Sequence, residues 1–271
     1  MSLHCIIPVI VLSLFLTTGH AVAGKLDQIK ARGELIAGVK DSEAPFGFID
    51  EKSNQIEGFD IDICRYLAQR LGVKLTLKPV TNADRQSVLL QGAADLVAAA
   101  LEHNFQRDDA IDFSITYFQD GLQLLAHKDA GIVSVADLSG KKIAVLKGSG
   151  TDKIVKSSQP HAIVLHFDGY PQAFMAVKRG EAAAVCAHTV VLLGLKYNDE
   201  KPDTWNIFGD YLEVIYYGLG LPENDSDFRD AVNKALVEMW KSGEFEKVYD
   251  KWFGAGAKYP LPLTWKPELW P

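Results

Sequence analysis

A rhythm in the chain constrains its fold more than any single motif. From Lys25 onward a short apolar strand, an amphipathic helix and another short strand follow one another, and the series later starts again. "ELIAGVK" (34–40) reads as a strand. Residues 59–71 read as a helix with Cys64, Leu67, Ala68 and Leu71 on one face and Gly72 as its stop. "KLTLKPV" (74–80) is a strand, 81–92 a helix, and "DLVAAAL" (95–101) a further strand. The second series runs through a strand at 142–146, a helix opened by "KGSGTDK", a strand at 162–167, a helix at 171–179 and a strand at 182–187. Strands alternating with helices imply parallel sheets covered on both faces. Two α/β units are therefore expected, with 120–128 as the first crossover between them. The chain then returns through a strand at 216–221 and a helical stretch, 225–252, split near Gly243. The tail from Tyr259 holds four prolines and two tryptophans and is expected to wrap the surface. The boundaries that follow are 24–119 with 216–271 for one lobe and 120–215 for the other, hinged around a cleft.

Composition removes several classes of function. Of 271 residues, 48% are apolar and 23% charged, which suits a packed core. A net charge of −7 argues against nucleic acid or an anionic membrane surface as partner. The first 23 residues lack Lys, Arg, Asp and Glu, and carry an apolar run (6–16) too short to span a bilayer comfortably. They end in Ala21-Val22-Ala23, the pattern of a cleavable signal peptide. The mature protein is expected to be exported and soluble. Cys5 leaves with that leader. Cys64 and Cys186 lie far apart and are expected as two buried free thiols rather than a disulfide. No His/Cys cluster has metal-ligand spacing, and no cofactor is expected.

In parallel α/β units, ligands gather beyond the carboxyl ends of strands. Four loops meet that rule: "DSEAPFGF" after Lys40, "LEHNFQRDD" after Ala100, "KGSGTD" after Leu146, and "HTV" after Ala187. Arg107, in the second, offers a planar fork of donors that matches a carboxylate. It could equally pair with Asp108 or Asp109 at the surface. Ser149, Gly150 and Thr151 form either an anion cradle at a helix start or a plain capped turn. Phe46 is an apolar wall or a core residue. Lys40, Glu43 and Arg85 are candidate charges in the cleft or locally paired ones, and His188 is a candidate ligand group or a structural histidine. Glu43 and Glu102 could flank a cleft, but no acid/base spacing or nucleophile order singles out a catalytic site.

Five segments, "GVKDSEAPFGFIDEKSNQIEGFDIDICRYLAQRLG", "DRQSVLLQGAADLV", "QRDDAIDFSITYF", "DLSGKKIAVLKGSGTD" and "MAVKRGEAAAV", run in the order of the periplasmic solute-binding proteins, family 3. With "KPDTWNIFG", "EKVYDKWF" and the Pro-rich tail, the chain most resembles the glutamate/aspartate-binding branch. The resemblance implies a two-lobed type II periplasmic-binding-protein fold with two crossovers. It implies that Arg107 clamps a ligand α-carboxylate shared with Ser149 and Gly150, that Phe46 lies beside the ligand, and that Lys40 and Arg85 help hold a side-chain carboxylate. The chain also departs from the pattern. Glu102 stands where Ser or Thr is usual, and His188 where an Asp holds the ligand ammonium. Ala100 replaces a Ser, and Tyr170 a His, of the acidic branch. The ligand is then an amino acid with Glu43 or Glu102 replacing the lost acid, or another small carboxylate to which His188 donates.

The reading that follows is a periplasmic, non-enzymatic receptor of an ABC importer. It is expected to be monomeric, to bind a small polar carboxylate, and to dock on an inner-membrane permease. The alternative is an exported lyase on the same scaffold, resembling cyclohexadienyl dehydratases, with Glu43 or Glu102 as general acid.

Overall fold

The computed structural model describes residues 24–267; the expected signal peptide, 1–23, lies outside them. Two sheet-and-helix lobes are present. The first sheet has the order Lys74–Pro79, Glu34–Val39, Leu96–Ala98, Gly220–Leu221, Asp112–Phe113. Its first three strands are parallel, and Gly220–Leu221 runs antiparallel to its neighbours. The second sheet has the order Ile163–Phe167, Lys142–Leu146, Ala184–His188, Phe118–His127, Trp205–Phe208. Its first three strands are again parallel. A small three-stranded antiparallel sheet within 42–57 sits beside the first.

Helix Phe59–Leu71 forms where the apolar spacing places it, with Cys64, Leu67 and Ala68 buried. It ends at Gly72, whose φ of 70° suits a residue without Cβ and whose N–H caps the last carbonyls. The later helical stretch divides at Gly243 into Ser226–Lys241 and Glu244–Phe253, as expected. Cys64 and Cys186 are both buried and free, one in each lobe.

Three expectations need correction. Residues 81–92 are mostly turns, and only Ser87–Leu90 is helical. Asp84 Oδ1 accepts from the Thr81 backbone N–H at 2.5 Å and its hydroxyl at 3.0 Å, so local side-chain bonds displace the helix start. The strand expected at 216–221 is two strands, Val214–Tyr217 and Gly220–Leu221, that serve different sheets. Gly218 lies at the change of partner, where a Cβ would meet the Phe113 ring at 2.8 Å. The first crossover is longer than 120–128: Phe118–His127 is one ten-residue strand. Its start pairs antiparallel with Val214–Tyr217, and its later part pairs with Ala184–His188 and Trp205–Phe208.

Around the start of that crossover lies an aromatic core. Phe118 is fully buried and packs on Phe46, Phe59, Tyr217, Tyr249 and Phe253, with ring centroids 5.0–6.1 Å apart. The tail adds Trp265 against Trp240, Phe245 and Phe118. The second helix turns a buried acid, Asp60, toward this core. It accepts from the Ala100 N–H at 2.9 Å and the Tyr117 hydroxyl at 2.8 Å. Burial pushes its carboxyl up to about 7, against the pull of those two donors.

Two tests follow. Gly121, on the paired crossover, has no room for a side chain: a Cβ would lie 2.3 Å from the Tyr211 ring. Gly121→Ala should lower stability by about 1–3 kcal/mol in denaturant melts, and an unchanged midpoint would contradict this packing. Asp60 binds its proton more tightly folded than unfolded. Its contribution is therefore present below its ordinary carboxylate range and lost as pH rises toward 7. Asp60→Asn should gain stability relative to the native chain between pH 5 and pH 8. A difference in melting temperature that does not change with pH would contradict the assignment.

Candidate functional site

The crossover pair forms the floor of a cavity of about 750 Å³. One wall comes from the first lobe: Ser42 and Glu43 from the small sheet, Phe46 at its turn, and Asn82. The opposite wall comes from the second lobe: Tyr170 at a helix start, and His188 and Val190 where strand Ala184–His188 passes into helix Thr189–Tyr197. Asp120 and Tyr217 stand on the floor, one on each crossover.

The floor is a connected polar chain. Asp120 Oδ1 accepts from the Gly121 N–H at 2.7 Å and from the Thr189 N–H at 3.1 Å. The second donor opens a nine-residue helix, whose positive end favours an anion. Tyr217 Oη donates to Asp120 Oδ2 at 3.3 Å and lies 2.8 Å from His188 Nδ1. Burial raises the Asp120 carboxyl, while His188 and the backbone donors pull it down. Burial likewise holds the Tyr217 phenol well above its usual range.

Four of the residues singled out in the sequence thus meet at this cavity: Glu43, Phe46, Tyr170 and His188. Phe46 is 1% exposed in the aromatic core and also lines the cavity. Tyr170 is half-buried, and its phenol is pushed up to about 12 by burial.

The remaining candidates stand behind the wall or away from it. Lys40 is buried; its Nζ donates to Asn82 Oδ1 at 2.6 Å and lies 3.5 Å from Glu43 Oε2. It therefore anchors two cavity residues from beneath, and burial, its largest influence, lowers its pKa. Arg85 donates through Nη1 to the Ala99 and Ala100 carbonyls at 2.9 and 3.0 Å, and its buried Nε has no partner. Burial, then the Arg107 charge, lowers its pKa.

Arg107 lies on the short helix Phe105–Asp108, capped by Asn104, and does not line the cavity. Its Nη1 donates to the Glu102 carbonyl at 2.6 Å and to Glu102 Oε2 at 3.2 Å. The carboxylate five residues earlier, not Asp108 or Asp109, holds the guanidinium. Asp108 pairs instead with His103. Glu102 in turn bridges Tyr217, and the His103 N–H donates to the Tyr216 carbonyl at 2.8 Å, which stitches the arginine's loop to the second crossover.

Ser149, Gly150 and Thr151 are also off the cavity wall, although Leu146 at the head of their loop lines it. The Ser149 hydroxyl donates to the Leu146 carbonyl at 2.8 Å and lies 3.0 Å from Thr151 Oγ1. In this arrangement the loop is a turn before helix Thr151–Ser158, whose N-cap, Gly150, makes no side-chain cap bond.

Asp120 and Tyr217 went unread in the sequence as site residues. A signal for the first exists: in "YFQDGLQLLA" it is the lone ionisable acid of a mostly apolar strand, where such a group needs a reason to be buried. Tyr217, inside "VIYYGLGL", carries no such mark. No group of His, Cys, Asp and Glu among the described residues could hold a metal ion.

Comparison with known proteins agrees with this architecture. The sequence model of bacterial extracellular solute-binding proteins, family 3, matches residues 35–255. The chain is 32% identical over 231 residues to an ABC transporter glutamine-binding protein of Bacillus subtilis, covering 84% of each chain. It is 26% identical over 243 residues to the L-glutamate/L-aspartate-binding protein of Pseudomonas aeruginosa, covering 86% of this chain and 80% of that one. Among solved structures it resembles an ancestral amino acid-binding protein described as a precursor of cyclohexadienyl dehydratase. The TM-score is 0.68 and the identity 31%, over 85% of this chain and 99% of that one. With two lobes, paired crossovers and a match across most of its length, this chain belongs to the bacterial extracellular solute-binding proteins, family 3.

Proposed function

We propose that the chain is the extracytoplasmic receptor of an ABC importer and takes a polar amino acid into the cavity between its lobes. One observation carries this reading. A cavity of ligand size, lined from both lobes, has polar groups on each wall and a shared floor. A ligand that touches both walls binds the closed form better than the open one and so shifts the population toward closure. The lobes that close are 24–119 with 216–271 and 120–215, moving about the paired strands 118–121 and 214–217. The leader is cleaved on export, and the closed monomer is what an inner-membrane permease reads.

Arg107 is the carboxylate clamp in this proposal. Glu102 holds its Nη1 at one edge and leaves the rest of the fork for a ligand. Ser149, Gly150 and Thr151 face it from the second lobe once the cleft shuts. Lys40 and Arg85 supply positive charge behind the wall formed by Glu43 and Asn82. The names of the relatives, glutamine-binding and glutamate/aspartate-binding, favour a side chain ending in an amide or carboxylate.

The lyase alternative has a likeness in its favour, since the ancestral neighbour is described as a precursor of a dehydratase. Its two candidate acids are each engaged by a cation, Glu43 by Lys40 at 3.5 Å and Glu102 by Arg107 at 3.2 Å.

A thermal-shift series on the mature chain tests the proposal with the common amino acids, dicarboxylates and arogenate. At one hundred times its Kd, a bound amino acid should add about 2.7 kcal/mol of apparent stability. Arg107→Ala should remove that shift at the same concentration. No shift with any amino acid, an Arg107→Ala variant that binds as tightly, or an aromatic product formed from arogenate would each contradict the reading.

A further inference from the structure

One carboxylate, far from the cavity, ties the start of the described chain to a segment near its end. Asp225 is the N-cap of helix Ser226–Lys241, and its Oδ1 accepts from the Phe228 N–H at 3.0 Å. Its second oxygen, Oδ2, accepts from the Lys25 N–H at 2.6 Å, across 200 residues. Lys25 opens helix Lys25–Arg32, whose N-cap is Gly24. Gly24 lies against the same carboxylate: a Cβ built on it would be 3.6 Å from Oδ2 and 3.8 Å from Oδ1. The first residues of a domain fray unless something holds them. Here the hold falls on the two residues that directly follow Ala21-Val22-Ala23.

Among the described residues no cationic side chain pairs with Asp225. The cations closest to this junction in sequence are engaged elsewhere. Lys25 Nζ lies 3.5 Å from Asp95 Oδ1, and Arg229 Nη1 lies 3.6 Å from Asp112 Oδ2. Asp225 is thus a carboxylate bonded to two backbone N–H groups, with no opposite charge to balance it, beside Gly24.

We propose that Asp225 receives the α-ammonium created at Gly24 when residues 1–23 are removed. Hydrolysis of the Ala23–Gly24 bond by a leader-cleaving protease consumes one water. The acyl side leaves as the Ala23 carboxylate. The nitrogen side stays as the Gly24 amine and takes up a proton at neutral pH. In the uncut chain that nitrogen is an uncharged amide. Cleavage therefore adds an ion pair between helix Lys25–Arg32 and helix Ser226–Lys241 that the longer chain cannot make. The processing half rests on the reading above that the leader is cleaved on export. The ion pair itself needs only a chain that starts at Gly24.

Nitrogen NMR of glycine-labelled protein beginning at Gly24 follows the titration of its α-amine. The amine should titrate above its usual range of about 7.7–8.0. Asp225→Asn keeps a capping oxygen and removes the charge, and should bring the amine back to that range or below it. Asp27 and Asp227, in the first turns of the same two helices, would raise it as well, so the Asn variant is the one that discriminates. An amine held charged by the fold contributes stability below its unfolded value and loses that contribution as pH rises through the folded one. At pH 7 the chain that begins at Gly24 should have a folding constant about two- to fivefold larger than one that begins at Ala23. Asp225→Asn should abolish the difference.

An amine in its usual range in the native chain, one that Asp225→Asn leaves raised, or equal stability of the two chains overturns the ion pair. If Asp225→Asn does not fold, the titration and the comparison of the two starting points decide. Sequencing of the exported protein should begin at Gly24. A start at another residue overturns the processing half alone, whereas a retained leader overturns the export reading together with it.

Discussion

The antiparallel pairing of 118–121 with 214–217 is the constraint on which the rest of the structure depends. Among the described residues these two segments form the strand pairing between the first sheet and the second, and the bridge of Glu102 to Tyr217 adjoins it. Phe118, Asp120 and Tyr217, the direct partner of Phe118, share one face of this pair. Phe118 and the Tyr217 ring pack into the aromatic core, where rings meet at about van der Waals distance and no small displacement is free. Asp120 and Tyr217 also line the floor of the cavity. A rigid aromatic core thus adjoins a polar floor.

That arrangement explains why a buried acid is tolerated at the middle of the molecule. Asp120 is fully buried, and removing a carboxylate from water is costly without donors to replace it. Here a helix start, the next residue's N–H and a phenol supply them. The same bonds tie three structural units together: the first crossover, the second crossover and helix Thr189–Tyr197. His188 meets these bonds through Tyr217. The cavity floor and the paired strands are in this sense built from the same few residues.

Much of the fold could be read from the sequence because it depends on short-range pattern. Helix Phe59–Leu71 is legible in its apolar spacing and its terminal glycine, and the break at Gly243 likewise. What was not legible depends on tertiary partners. Residues 81–92 have helical spacing, but Asp84 turns back on Thr81. The stretch 216–221 looks like one strand until Gly218 is seen to sit against Phe113. The site shows the same division. Glu43, Phe46, Tyr170 and His188 follow strand ends or open helices, where the topology places ligands. Arg107 stood out as a clamp, yet its observed bonds are to Glu102. Asp120 lies within one strand and Tyr217 at the end of another, and only the pairing of two segments nearly a hundred residues apart brings them to one place.

A crystal structure of the mature protein with its amino acid bound tests the central claim most directly. The account predicts a ligand seated on the crossover floor, in contact with Phe46 from one lobe and His188 from the other. A ligand lodged away from the floor, for example in the groove beside Phe105, Tyr216 and Trp265, would contradict it.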